Sequence, residues 1–151
     1  MKKAGLHSTG MSIGTGTMSA RVNFPEPFRE GFDFTQSFVE YSETESRVTV
    51  VGYFESVGEK IQSILISLPS DFSGSDHKIL PYAEDKAWAY LVSLRTGYAL
   101  SGDIKELVWN KAEKHLSGKF VFNGKVEGFP LVEFEVARGV FSIGQGTGIK
   151  V

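Results

Sequence analysis

A chain of 151 residues is long enough to bury its own core, and without cysteine no disulfide, thiolate metal site, thiol nucleophile or lipidated-cysteine anchor is expected. The 16 Lys and Arg against 18 Asp and Glu leave a formal charge of -2, without the basic excess that drives phosphate contacts, so nucleic-acid binding is not expected. No apolar run approaches the roughly 18 residues of a membrane helix or the roughly 7 of an export signal. The expectation is a cytoplasmic protein, or an exported one whose leader has been removed.

Residues 1–17 are small, polar and glycine-rich, and read as a flexible arm ahead of a single domain over 18–151. The segment at 12–17, Ser-Ile-Gly-Thr-Gly-Thr, is echoed by Ser-Ile-Gly-Gln-Gly-Thr at 142–147, so the two either pair as edge strands or are both loose. Residues 18–24 alternate as a strand does, and Pro25 and Pro27 break the pattern, since proline lacks an amide donor and restricts its predecessor. The stretch over 26–45 is acidic and aromatic, with Phe28, Phe32, Phe34, Phe38 and Tyr41 among its carboxylates, and reads as a loop. Its rings either cap a barrel end or dock on another chain.

Residues 46–54 and 61–68 flank Val57-Gly58-Glu59 and read as a β-hairpin. Residues 69–76 are dense in turn formers and read as a surface loop. Over 83–93 helix formers compete with an alternation of Trp88, Tyr90 and Val92 against Ala87, Ala89 and Leu91, and strand is favoured. Over 103–116 the stripe Ile104, Leu107, Val108, Ala112, His115 and Leu116, with Asp103 as N-cap, fits a helix. A strand, a turn at 110–113 and a second strand fit the same residues, and periodicity leaves the choice open. Farther on, Leu116, Gly118, Phe120 and Phe122 share one face, while Val132, Phe134 and Val136 lie opposite Glu133 and Glu135.

Three segments, Ser101-Gly102-Asp103-Ile104, Leu116-Ser117-Gly118-Lys119-Phe120-Val121-Phe122 and Gly139-Val140-Phe141, carry a resemblance. They are similar to the Ser-Gly-x-Ile, Leu-x-Gly-x-Phe-x-Phe and Gly-x-Phe of a group of uncharacterised small bacterial β-domains that look lipocalin-like, over roughly the last third of the chain. The resemblance implies that 103–109 is a strand. The fold expected is all-β: a single antiparallel meander of about eight strands, closing into a barrel or sandwich, with one short helix at most. No catalytic residue carries over, and the lipidated cysteine with which such proteins are typically exported is absent here.

Candidate chemistry is sparse. Ser73-Gly74-Ser75-Asp76-His77 holds every residue type of a hydrolase triad, but triad members converge from separate segments, and a polar turn explains the run better. Glu133 and Glu135 project from one strand face about 7 Å apart, which suits an acid and base pair on a carbohydrate and equally suits a solvated face. His7, His77 and His115 lack metal-ligand spacing, and the Gly144-Gln145-Gly146-Thr147-Gly148 run has no following helix to bind phosphate, so neither metal nor cofactor is expected. The aromatic content is the unusual quantity, with 12 Phe. Trp88, Tyr90, Phe120, Phe122 and Phe134 either fill a barrel or line an apolar ligand cavity. The leading expectation is therefore a non-enzymatic module that binds an apolar small molecule or a protein partner. The alternatives are a carbohydrate-acting hydrolase using Glu133 and Glu135, and a homo-oligomer joined through open edges at 139–148.

Overall fold

The computed structural model describes residues 12–24, 31–55, 61–81, 86–93, 95–110, 112–113, 115–126 and 132–144. They form nine strands: β1 (Ser12–Asn23), β2 (Phe32–Glu43), β3 (Arg47–Glu55), β4 (Ile61–Pro69), β5 (His77–Ile79), β6 (Trp88–Ser93), β7 (Arg95–Asn110), β8 (His115–Val126) and β9 (Val132–Gly144). All pair antiparallel in one sheet, and the described residues contain no helix. None therefore supplies a helix long and apolar enough to cross a membrane.

The ladders run β7–β6–β4–β3–β2–β1–β9–β8 and return to β7, so the sheet curls into a barrel-like wall. Strand β5 lies end to end with β6 on the same edge of β7, pairing 77–79 with 102–104. Ile79 also bridges to Ala87. Alternation decides what faces inward. In β8, Leu116, Phe120, Phe122 and Val126 are buried while Lys119, Val121, Asn123 and Lys125 are exposed, the period of two that a half-buried strand requires. Phe34, Met18, Ile64, Ile66, Leu91, Ile104 and Phe141 complete an apolar interior.

Two expectations change, one is refined and one open choice is settled. The strand count is nine, because the short β5 adds to the meander. Residues 12–17, expected to belong to a flexible arm, open β1, whose Thr15, Gly16 and Thr17 pair with Gly144, Ile143 and Ser142, so the two echoing segments are ladder partners. Residues 1–11 lie outside the described residues. Residues 32–43, expected to be loop, form β2 between β1 and β3. Over 103–116 the outcome is strand, turn and strand, as the resemblance implied: β7 runs to Asn110 and β8 begins at His115.

The hairpin of 46–54 and 61–68 appears as β3 paired with β4 from Arg47↔Pro69 to Glu55↔Ile61. Residues 88–93 form a strand, and 82–85 lie outside the described residues. Strand β9 is paired along both edges, so residues 139–144 present no open edge to a second copy.

Candidate functional site on the outer face

The five aromatics expected to line one wall are divided by strand parity. Phe120, Phe122 and Phe134 point inward and are only 1%, 2% and 3% exposed. Their rings pack on one another, Phe122 lying 6.2 Å from Phe120 and 6.0 Å edge-on from Phe134. The backbone closes over them as well: a Cβ at Gly97 would stand 2.5 Å from the Phe134 ring, and one at Gly139 would stand 2.4 Å from the Phe120 ring. These rings fill the barrel.

Trp88 and Tyr90 point outward, because it is Ala89 and Leu91 of β6, with Ala87 just before it, that are buried. Tyr90 continues an aromatic strip, 6.0 Å from Trp88 and 5.9 Å from Tyr98, which lies directly opposite it on β7. Arg47 covers the Trp88 ring at 5.3 Å while its Nε donates to the buried Ser67 Oγ at 2.9 Å. Near the strip the Tyr53 hydroxyl donates to Glu40 Oε1 at 3.1 Å. Burial, then the Glu40 carboxylate, push the Tyr53 phenol up to about 12.

The serine-rich loop is a solvated turn. Ser73, Ser75 and Asp76 are exposed, and His77 Nε2 meets the Gly74 carbonyl at 3.0 Å. His115 Nε2 lies 3.1 Å from Ser142 Oγ across β8 and β9, a pairing no local motif announces. Among the described residues no group of three His, Cys, Asp or Glu is placed to hold a metal ion. His7 and residues 145–148 lie outside the described residues.

Glu133 and Glu135 share a groove of about 460 Å³ on the outer face, lined also by Asn23, Phe24, Leu100, Asn123 and Lys125. Register builds it. Glu135 pairs with Asn23 of β1 on one side and Asn123 of β8 on the other, and Asn123 pairs with Ser101 of β7. One polar row thus crosses four strands. Ser101 Oγ donates to Asn123 Oδ1 at 2.9 Å, and Asn23 Nδ2 donates to Glu135 Oε1 at 3.1 Å. Arg21 Nε fixes the other end by donating to Asn23 Oδ1 at 3.0 Å. These bonds engage both ends of the Asn23 amide, the oxygen of the Asn123 amide and one oxygen of Glu135. The Asn123 NH₂ and the second Glu135 oxygen take no part in these bonds, and the exposed Leu100 and the partly buried Phe24 line the same groove.

No protein family, curated protein or solved structure matches this chain.

The site therefore stands on its own geometry. Glu133 and Glu135 were legible as a same-face pair from the alternation of β9. Ser101, Asn23 and Asn123 were not, because they reach Glu135 only through the register of strands far apart in the chain.

Proposed function

We propose that the protein is a non-enzymatic binding module whose recognition surface is the outer face of β1, β7, β8 and β9, and that it takes a polyhydroxylated ligand such as a saccharide. The observation that carries this reading is the row Ser101–Asn123–Glu135–Asn23, held in place by its own hydrogen bonds on rigid strands. Such a row offers amide donors and carboxylate acceptors without an ordering cost on binding. Leu100 and Phe24 beside it give a sugar ring an apolar contact. A lumenal apolar ligand, the other expectation, has no support from an interior whose rings pack against each other and against glycine backbone.

A carbohydrate-acting hydrolase is the second reading. The observation that favours it is that Glu133 and Glu135 line one groove, with the Asn23 amide engaging Glu135. Saturation-transfer NMR against a panel of mono- and oligosaccharides, with reducing-sugar release measured on the same mixtures, tests both. The binding reading expects contact with a saccharide, lost in Asn123→Ala and Glu135→Ala, and no release of product. Release abolished by Glu133→Gln would replace it with the hydrolase, and a panel without any contact would refute both.

A further inference from the structure

Among the described residues only two non-glycines have a left-handed backbone, Glu106 at φ 54° and Arg138 at φ 53°. They flank β8 from opposite sides. In β7, residues 106 and 107 are squeezed between the Lys105↔Lys119 and Val108↔Ser117 pairs, one residue more than β8 supplies there. In β9, residues 137 and 138 fall in the same way between Val136↔Phe122 and Gly139↔Phe120. A left-handed residue at such a bulge is ordinarily glycine, since any Cβ is strained there. The bulge in β9 has a packing reason, because it brings Gly139 over the Phe120 ring, where a Cβ would not fit. That reason covers Gly139. It does not cover an arginine in the strained position beside it, and side chains kept at such a cost cluster at binding sites.

The two bulges frame a groove of about 420 Å³, within the range of small-molecule sites. Its floor is Val121, Val140 and the edge of Phe120, and the two valines are 43% and 44% exposed. Lys105, Lys119 and Arg138 line it, together with Asp103 and Glu106. Lys105 and Lys119 stand directly opposite each other in the ladder, a like-charge pairing that is unfavourable by itself. Each nearby carboxylate is already engaged by a lysine: Glu106 with Lys119 at 3.4 Å, Asp76 with Lys105 at 3.7 Å and Asp103 with Lys78 at 2.9 Å. Arg138 is the surplus cation, without a side-chain partner among the described residues. Its planar head matches a carboxylate or phosphate through two parallel hydrogen bonds.

We propose that this groove binds a small amphipathic anion, its charged head on Arg138 and Lys119 and its apolar part on Val121 and Val140. The site is separate from the polar row at Glu135, and either can fail without the other. The head needs Arg138 because the lysines already have partners. The tail is required because an inorganic anion leaves the exposed valines uncovered.

The test is amide-resolved NMR of the whole chain titrated with sodium octanoate, inorganic phosphate and 1-octanol in turn. Octanoate is expected to shift the amides of residues 105–107, 119–121 and 138–140, with phosphate and octanol each at least about tenfold weaker. Arg138→Gly is the decisive variant, because it removes the charge and the backbone strain together. It is expected to melt higher than the parent and to bind octanoate at least about tenfold more weakly, while Arg138→Lys keeps part of the affinity. Undiminished binding by Arg138→Gly, or octanoate shifts confined to other residues, overturns the site. A lower melting temperature for Arg138→Gly overturns the strain argument on which it rests. Phosphate binding as tightly as octanoate overturns the amphipathic assignment.

Discussion

Gly124→Ala probes the close approach of β7 to β8 that closes the barrel. A Cβ at this position would stand 1.9 Å from the Tyr98 carbonyl oxygen, 2.8 Å from its carbon and 3.0 Å from Ala99 Cα. All three obstacles are backbone, so no side chain can swing aside, and β7 must retreat by roughly 1.5 Å to restore van der Waals contact. Overpacking of this kind costs about 1–3 kcal/mol, and stretching the adjacent ladder hydrogen bonds adds about 1 kcal/mol. The alanine returns about 0.4–1 kcal/mol by restricting the unfolded chain. The net expectation is a loss of about 1–3.5 kcal/mol, or roughly 2–14 °C in Tm for a chain of this size. Gly144→Ala is the matched control. There the nearest atom to an added Cβ is His115 Cδ2 at 3.5 Å, an ordinary contact, so only the unfolded-state term acts and stability should hold or rise slightly. Urea unfolding followed by tryptophan fluorescence and by circular dichroism gives both values, and agreement of the two probes checks two-state behaviour. If the two variants fall within about 0.5 kcal/mol of each other, the close approach of β7 and β8 is wrong.

Phe122→Ala should cost about 3–5 kcal/mol, since its ring is packed between those of Phe120 and Phe134; the variant should bind benzene or xenon in the space created, and the parent should not. Tyr53 stays protonated until about pH 12 in the fold and ionises near 10 when unfolded, so its contribution is complete below about pH 10 and is lost as the pH climbs through 12. Melting temperatures should therefore fall over that window, and Glu40→Gln should lower the Tyr53 titration seen in ultraviolet difference spectra; a titration that does not move would show that Glu40 plays no part. Arg47→Met should destabilise by about 1–3 kcal/mol, because the fully buried Ser67 hydroxyl loses its 2.9 Å partner and keeps only Thr49 at 3.3 Å. Chemical denaturation reads this, and a change below about 0.5 kcal/mol would contradict the assigned role.

Strands were legible where the period of two runs unbroken. β8 is the clear case, with Leu116, Gly118, Phe120, Phe122, Gly124 and Val126 all inward, and its partner β9 shows the same order from Phe134 to Val136. Legibility failed where a bulge inserts a residue. In β7 the left-handed Glu106 puts Ile104 and Leu107 on the same inner face three residues apart, which imitates the i, i+3 stripe of a helix. In β2 the inward position passes from the even Phe34 to the odd Val39 and Tyr41, so no single alternation spans residues 32–43, and the preceding prolines and the carboxylates tipped the reading toward loop. The open choice at β7 and the missed strand β2 are both matters of phase, and each falls where the regular ladder is interrupted or changes side.

The expected aromatic wall divides for a different reason. Ranking residues by size and apolarity puts Trp88 and Tyr90 inside, but β6 turns Ala89 and Leu91 inward instead, in phase with the buried Ala87 before it. Inside, Phe120, Phe122, Phe134 and Phe141 are already packed ring to ring, and small residues facing such a cluster are what close packing requires. The proposed recognition surface lies on the outer face, in rows that no stretch of sequence displays. Ser101, Asn123, Glu135 and Asn23 belong to four strands and meet only because the β7–β8, β8–β9 and β9–β1 registers agree. A slip of one residue in β8 would turn Asn123 inward and Phe122 outward together, so the packing that keeps Phe122 buried also holds the polar row in place. Core and candidate site are thus specified by the same alternation, and a substitution that loosens the Phe122 cluster should weaken ligand binding at Glu135 without touching the groove.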